Sequence, residues 1–322
     1  MSENLFRPNN FDQFIGQKHI TQQIAIMIES AKKREKPLDH ILFSGPPGLG
    51  KTSLSMLIGK SLGEEIKFHF VSAPALEKKA DLASVLVGLS PKDILFLDEI
   101  HHLPKQIEEV LYSAMEDFKM DIVLGQQTHN PKVMKIELSP FTLIGATTMA
   151  AKIARPLRDR FIAHFTLDYY NNEELSSIIH QYFSHQSIPV SKNGIDSIAL
   201  CARGTPRIAL KLCARIRDYF LVENYQELDQ NNIRNILEKL GLHPNGLDFR
   251  DIKFLSALSK QNVNGPVGLN VLAMSLGEEK QTIEEVIEPF LISIGFLQRT
   301  PKGRILTQMA QHYIKENLAL NF

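Results

Sequence analysis

Short apolar runs rich in β-branched and aromatic residues recur at 41 to 45, 66 to 72, 93 to 98, 141 to 147 and 163 to 169, and the stretches between them carry helical periodicity. In one such stretch Leu54, Leu57, Ile58 and Leu62 fall on one face of a helix predicted over 50 to 62. Apolar strands separated by helices predict a parallel sheet covered by those helices, an α/β domain. Residues 122 to 138 break the rhythm. There Ile-Val-Leu-Gly and Val-Met-Lys-Ile-Glu-Leu flank a polar Gln-Gln-Thr-His-Asn-Pro turn, which predicts an inserted β-hairpin.

Beyond about 170 the strand signals stop. Glu-Glu-Leu-Ser-Ser-Ile-Ile, Ile195 to Cys201, Arg207 to Tyr219 and Ile233 to Leu240 predict a run of short helices. From about 247 the pattern becomes helix (251 to 260), helix (267 to 276) and helix (281 to 292). Phe296-Leu297-Gln298, a Thr300-Pro301-Lys302-Gly303 turn and Arg304-Ile305-Leu306 follow. Three helices and a hairpin predict a winged helix. The expected division is therefore a large domain over 1–168, a small helical domain over 169–243 and a winged-helix domain over 244–322.

Composition narrows the class. With 322 residues two or three domains are expected, and 43% hydrophobic with 22% charged residues is ordinary for a globular protein. The formal net charge is zero, so a nucleic-acid partner must be met by a local patch. No apolar stretch approaches the ~20 residues that span a bilayer, and the first residues lack the apolar segment of a signal peptide, so a cytoplasmic protein with no membrane partner is expected. Cys201 and Cys213 are the two cysteines, and neither disulfides nor a zinc site are expected from them.

Residues 45 to 52, Gly-Pro-Pro-Gly-Leu-Gly-Lys-Thr, fit G-x-x-x-x-G-K-[ST] and lie between a strand and an amphipathic helix. Glycines let backbone N–H groups converge on phosphate oxygens, the helix N-terminus adds positive dipole, Lys51 reaches the outer phosphates and Thr52 offers a hydroxyl to magnesium. Ile94-Leu95-Phe96-Leu97-Asp98-Glu99 is an apolar strand ending in two carboxylates, expected beside the strand that feeds the loop. Asp98 then holds magnesium through water while Glu99 polarises an attacking water. By itself an acidic pair after a strand is its solvated end, but following such a loop the functional reading prevails. No guanine-reading Asn-Lys-x-Asp occurs, which favours ATP.

Weaker signals surround these two. Adjacent His101 and His102 have no third ligand nearby and read as solvated or supporting side chains rather than a metal site. Gly145-Ala146-Thr147-Thr148 is either a plain strand end or one whose hydroxyl senses a γ-phosphate. Pro156-Leu157-Arg158-Asp159-Arg160-Phe161 offers either a surface ion pair or an arginine that stabilises transferring charge, in its own subunit or a neighbour's. Gly204-Thr205-Pro206-Arg207 opens a helix, with Arg207 a further cation for the nucleotide. In the winged helix Glu284, Glu285 and Glu288 on the third helix are repelled from a duplex groove. Arg299, Lys302 and Arg304 on the wing predict phosphate contacts largely independent of sequence.

Together these motifs resemble the RuvB family of AAA+ Holliday-junction branch-migration ATPases. The likeness runs from Arg7-Pro8 and Ile15-Gly16-Gln17 through Gly45 to Thr52, Asp98 to His101, Tyr112 to Asp117, Phe141 to Thr148, Pro156 to Phe161 and Gly204 to Ala209. It ends in Ile294-Gly295-Phe296-Leu297-Gln298-Arg299-Thr300-Pro301, the string that sets it apart from other AAA+ proteins. The resemblance implies an AAA+ P-loop domain, a helical lid and a winged helix. It also implies a homo-hexamer on double-stranded and four-way junction DNA, with ATP and Mg2+ as cofactors, RuvA as loading partner and RuvC in the resolving complex. It assigns phosphate and magnesium to Gly45, Gly48, Leu49, Gly50, Lys51, Thr52 and Ser53, and the acidic motif to Asp98 and Glu99. Thr148 or Thr147 becomes the first sensor, Arg160 the arginine finger acting in trans and Arg207 the second sensor. Arg7, Ile15 and Tyr170 border the adenine, and Met134 and Ile136 on the inserted hairpin meet RuvA. Met149 and His102 stand where the family usually has Arg, and Arg155 where it has a small polar residue. A clamp-loader-like switch is disfavoured by the wing, a base-reading transcription factor by the acidic third helix, and an inert ATP-binding scaffold by the presence of Glu99 and Arg160.

Overall fold

A computed structural model describes residues 7–124, 132–243, 245–261 and 265–317. It divides into two compact units, Met1–Ile178 with Thr205–Arg207, and Ile179–Gly204 with Ile208–Phe322.

The first unit is built on five parallel strands: β1 (Ile41–Ser44), β2 (Phe68–Ser72), β3 (Ile94–Asp98), β6 (Thr142–Thr147) and β7 (Ala163–Thr166). Their spatial order is β2-β3-β6-β1-β7. Central strands buried on both faces need apolar side chains at every position. β3 and β6 accordingly run buried almost end to end. Helices α1 (Lys18–Arg34), α2 (Lys51–Leu62), α3 (Lys79–Val87), α4 (Lys105–Glu116) and α5 (Arg155–Arg158) connect or cover the strands. One expectation is corrected: the acidic strand β3 does not lie beside β1, because β6 pairs with both and separates them. Sequence order cannot reveal this, since β6 arrives from the far side of the hairpin insertion. Buried His40 pins the edge of this arrangement, its Nδ1 accepting from the Leu143 N–H at 2.8 Å and its Nε2 lying 3.2 Å from the Met115 carbonyl. Burial holds its pKa below the ordinary histidine value.

The inserted hairpin consists of β4 (Lys119–Leu124) and β5 (Lys132–Glu137), paired antiparallel from Lys119↔Glu137 to Leu124↔Lys132. Its polar turn, at 125–131, lies outside the described residues.

Helix α6 (Asn172–His185) carries the chain from the first unit into the second. There α7 (Lys192–Cys201), α8 (Pro206–Val222) and α9 (Gln230–Lys239) form the small helical part. Ser191 and Asp229 cap α7 and α9 by accepting backbone N–H groups of Gly194 and Asn232. Cys201 and Cys213 are buried and unpaired, packing as small apolar groups. The winged helix follows as α10 (Phe249–Gln261), α11 (Leu269–Leu276), α12 (Lys280–Thr282), a π-helical turn (Ile283–Ile287), α13 (Glu288–Ser293), β8 (Leu297–Thr300), β9 (Gly303–Leu306) and α14 (Gln308–Asn317). The third helix, expected over 281 to 292, is thus broken by a widened turn. Pro289 has no N–H to return to the ladder, and the π turn absorbs the defect. Val267, expected to start a helix, instead exchanges two backbone hydrogen bonds with Arg304 of the wing. A Cβ on Gly303 would meet the Val267 carbonyl at 2.4 Å, so only glycine allows that approach. Helix α14, absent from the sequence expectations, closes the core with Ala310 and with Tyr313 against Phe296.

Candidate nucleotide-hydrolysis site and winged-helix face

Three neighbouring strands end at one edge of the sheet. β1 runs into the Gly45–Thr52 loop, β3 ends in Asp98 with Glu99 next, and β6 between them ends in Thr147 with Thr148 next. In open parallel sheets ligands sit outside these carboxyl ends. The loop is locked by contacts that only glycine permits. A Cβ on Gly45 would meet the Leu167 carbonyl at 2.6 Å, and one on Gly48 the Thr205 and Arg207 side chains at 2.8 and 2.9 Å. Both glycines have positive φ, so even a tolerated side chain would be strained. The loop is therefore held in a tight form that its glycines alone allow, with Lys51 at its end, and the residues fit a nucleotide.

Lys51 is buried, and its Nζ donates to the carbonyls of Gly45 at 2.7 Å and Pro46 at 2.9 Å. Burial lowers its pKa, nearby Glu99 and Asp98 oppose that fall, and Arg207 adds to it. An ammonium resting on carbonyl oxygens gives them up readily for a phosphate, whose charge compensates it better. Thr52 and Ser53, in the first turn of α2, are half-buried. Asp98 is pushed above the usual carboxylate range by burial and by the adjacent Glu99, with the Glu99 N–H, Lys51 and Arg207 pulling the other way. A divalent cation would relieve both causes at once.

Glu99 stands at φ 50° in the left-handed region, a strained conformation of the kind that clusters at functional sites. Its Oε2 accepts from the Thr148 N–H and from the Thr148 hydroxyl, each at 3.1 Å. His101 lies 3.3 Å from the same oxygen through Nδ1 and 2.9 Å from the Thr147 hydroxyl, with its side chain 3% exposed. The two threonines thus divide the work: Thr147 is fully buried and organises His101 and the Met149 N–H, and Thr148 meets the carboxylate. Of the two readings of the histidines, the supporting one holds for His101. Exposed His102 lies beside it, the two rings tilted by 39° with centroids 4.1 Å apart. Among the described residues no group of three or more His, Cys, Asp or Glu is arranged to hold a metal.

Tyr170 is buried, donates its hydroxyl to the Leu49 carbonyl at 3.2 Å and packs on Gly16. Burial raises its pKa well above the ordinary phenol value. Ile15 is half-buried, while Arg7 is exposed and donates to the Met56 sulfur at 2.9 Å. The Arg207 N–H donates to the Gly48 carbonyl at 3.3 Å, so the Gly204-Thr205-Pro206-Arg207 segment touches the loop directly. Sequence reasoning missed Phe14, whose ring lies against Gly50, and Thr205, whose methyl lies against Gly48. Thr205 sat inside a quoted motif and was recoverable. Phe14 carried no signal.

Arg160 is held within its own unit. It donates to the Tyr112 carbonyl at 3.2 Å, the Pro156 carbonyl at 2.6 Å and Glu116 at 3.0 Å, and lies 4.7 Å over the Tyr112 ring. Arg155 is exposed and pairs with Asp159 at 3.4 Å. On the hairpin Met134 is exposed, but Ile136 is half-buried against the apolar cluster that includes Met120. The two residues are therefore not equivalent.

The winged helix handles its charges differently. Glu288, expected to face outward and repel a duplex, is fully buried. Its carboxylate accepts from the Arg299 guanidinium and from Arg304 at 2.7 and 3.2 Å, and Arg304 also reaches Glu284 at 3.0 Å. Arg304 is only 13% exposed and Arg299 about half. Lys302, at the turn, is exposed to solvent. Two of the three acids that seemed to exclude DNA, Glu284 and Glu288, are thus counter-ions of the wing, while Glu285 accepts from the Gln281 side chain.

A family model described as the Holliday junction DNA helicase RuvB P-loop domain matches residues 6–167, the RuvB AAA lid domain matches 170–243 and the RuvB C-terminal winged helix domain matches 244–315. The chain is 48% identical over 310 residues to a Holliday junction branch migration complex subunit RuvB of Helicobacter pylori (strain P12), covering 96% of this chain and 91% of that one. It is 44% identical over 310 residues to the same subunit of Ehrlichia ruminantium (strain Gardel), covering 96% and 92%. A solved structure titled Thermotoga maritima RuvB Holliday junction branch migration motor superposes with a TM-score of 0.84 at 41% identity, covering 96% of this chain and 98% of that chain.

Proposed function

The chain belongs to the RuvB family of Holliday junction branch-migration ATPases, and we propose how its residues serve that motor. The observation that carries the reading is the convergence of the loop after β1, the acid pair after β3 and the threonines after β6 at one sheet edge. The loop from Gly45 to Ser53 cradles the phosphates of ATP, with Lys51 turning from the Gly45 and Pro46 carbonyls to the outer phosphates. Thr52, and Asp98 through water, would hold magnesium, which neutralises charge on the transferring phosphoryl group. Glu99 orients and deprotonates the attacking water once Thr148 releases it, and Thr148 turns its hydroxyl to the γ-phosphate. Tyr170, Ile15 and Arg7 border the base, and Arg207 follows the phosphates from the loop's far side.

Arg160 completes the site of a neighbouring subunit. Its present partners are mostly neutral carbonyls, which a negatively charged transition state outbids. That requires a ring, and a homo-hexamer encircling duplex DNA at a four-way junction is the assembly proposed, cytoplasmic and free of membranes. Among the described residues no helix is long and apolar enough to cross a bilayer. RuvA would dock on the hairpin chiefly through exposed Met134, with Ile136 setting the strand's seat, and RuvC would join at resolution. Lys302 is the leading phosphate contact of the wing, Arg299 the next and Arg304 the least, because charge already spent on Glu288 is not available to DNA. The division into an ATPase domain to residue 168, a lid to 243 and a winged helix beyond is part of the same proposal. ATPase and branch migration on a synthetic four-way junction, with and without RuvA, test it. RuvA-dependent junction movement is expected, and movement of a plain linear duplex end alone would contradict it.

A further inference from the structure

Gly204, Thr205 and Pro206 separate Arg207, whose N–H touches the nucleotide loop, from Arg203 in the second unit. Arg203 does not point to solvent. Its Nε donates to the Gly246 carbonyl at 2.9 Å, its Nη2 to Asp251 at 2.6 Å, and the same nitrogen lies 3.4 Å from Asp248. These acceptors sit at the entrance of α10. There Asp248 and Asp251 each accept the other's backbone N–H, at 3.1 and 2.8 Å, as a reciprocal cap. The Arg203 guanidinium also lies 4.2 Å over the ring of Phe290 on α13. Its side chain is 13% exposed and that of Asp251 1%.

The backbone here is unusual too. Arg203 and Gly204 both have positive φ, 53° and 68°. A left-handed arginine is strained, and persists where surrounding contacts over-determine it. For Arg203 those contacts include Gly246, Asp248, Asp251 and Phe290 of the winged helix. Two residues before Phe290 on α13, Glu288 holds both wing arginines. Arg203 therefore packs on the same short helix, α13, whose Glu288 holds the wing arginines.

We propose that Arg203 is a positioning residue that couples the nucleotide-dependent setting of Thr205-Pro206-Arg207 to the winged helix. It rests on the reading of Arg207 as a nucleotide sensor. With only three residues between them, a shift of Arg207 toward phosphate pulls on a backbone already wound left-handed at 203 and 204. The Arg203 side chain, fixed at the α10 cap and over α13, transmits that displacement to the helix that anchors the wing. Burial pushes the Asp251 carboxyl up to about 6, with Arg203 and the Asp248 N–H opposing the rise. Removing Arg203 alone thus leaves a buried acid uncompensated. The informative variant is Arg203→Gln with Asp251→Asn, which removes both charges and keeps hydrogen-bonding side chains, and Phe290→Leu removes the stacking alone.

The test is amide hydrogen exchange on the full chain with and without adenylyl imidodiphosphate and magnesium, read in three windows. Protection at 45 to 55 reports binding, a change at 205 to 210 reports the sensor, and a change at 288 to 306 reports the wing. In the wild type all three respond. In the double variant and in Phe290→Leu the first two persist and the third is lost, while Arg203→Lys with Asp251 intact restores part of it. A wing response that survives in the double variant overturns the coupling. A wild type with no response at 205 to 210 overturns the reading of Arg207 instead, and a wild type silent only at the wing overturns the coupling alone.

Discussion

The sheet edge of the first unit and the wing of the second both gather acids and bases within a few ångströms, yet they are set up for opposite ends. At the sheet edge each charged group is satisfied by something weak. Lys51 rests on two carbonyls, and Glu99 on a hydroxyl, an amide and the ring nitrogen of His101. At the wing the two arginines meet full counter-charges, Glu288 with Arg299 and Arg304, and Arg304 with Glu284 as well. Groups held by neutral partners can exchange them for a phosphate or a water at little cost, whereas breaking a buried ion pair exposes both charges to the full desolvation penalty. The first arrangement is a site, and the second is a clamp.

The sharpest break of that contrast is Glu99→Gln. The amide keeps an oxygen for Thr148 but cannot take a proton, so ATP binding and assembly persist while turnover falls ~10²-fold or more, as measured by steady-state hydrolysis beside nucleotide titration. Loss of binding together with turnover would mean that Glu99 holds the site together rather than acting in it.

At the clamp, Glu288→Ala leaves two arginines facing each other over a buried gap. Winged-helix amides are expected to lose about 3 kcal/mol of protection in the full chain by hydrogen exchange, with Glu288→Gln losing less. Undisturbed protection in Glu288→Ala would show the cluster to be a solvated surface feature. The smallest effect separates the wing cations. Lys302→Ala is expected to lower the slope of log affinity against log salt by roughly one for any duplex, whereas Arg304→Ala lowers winged-helix protection with little change in slope. Equal slope changes would place Arg304 on the DNA after all.

What the sequence made legible follows the same division. Gly45 to Thr52 and Asp98-Glu99 are local strings whose chemistry is fixed by spacing, and the strands that carry them are continuous apolar runs, so both could be read directly. The insertion of β6 between β1 and β3 could not, since strand order depends on pairings between distant segments. Nor could the fate of Glu288, because its partners lie 11 and 16 residues away and meet it only once the wing folds back. An acid facing solvent and an acid beneath two arginines look alike as letters. Pro289 removes an N–H from the third helix, yet that helix was expected unbroken over 281 to 292, and the π turn before the proline is the form the defect takes. For Ile136 the alternation of the strand marked an apolar residue without saying whether it faced a partner or the core.

The account's central claim is that the weakly held groups at the sheet edge form a hydrolysis site completed by Arg160 from a neighbouring subunit. Mixing Lys51→Ala subunits, which cannot bind phosphate, with Arg160→Ala subunits, which lack the finger, tests it most directly. Some interfaces then pair a sound loop with a sound arginine. Because such an arginine is worth ~10³ or more in rate, hydrolysis in the mixture is predicted to rise well above the sum of the two variants measured alone. A mixture no more active than that sum would contradict a site shared between subunits.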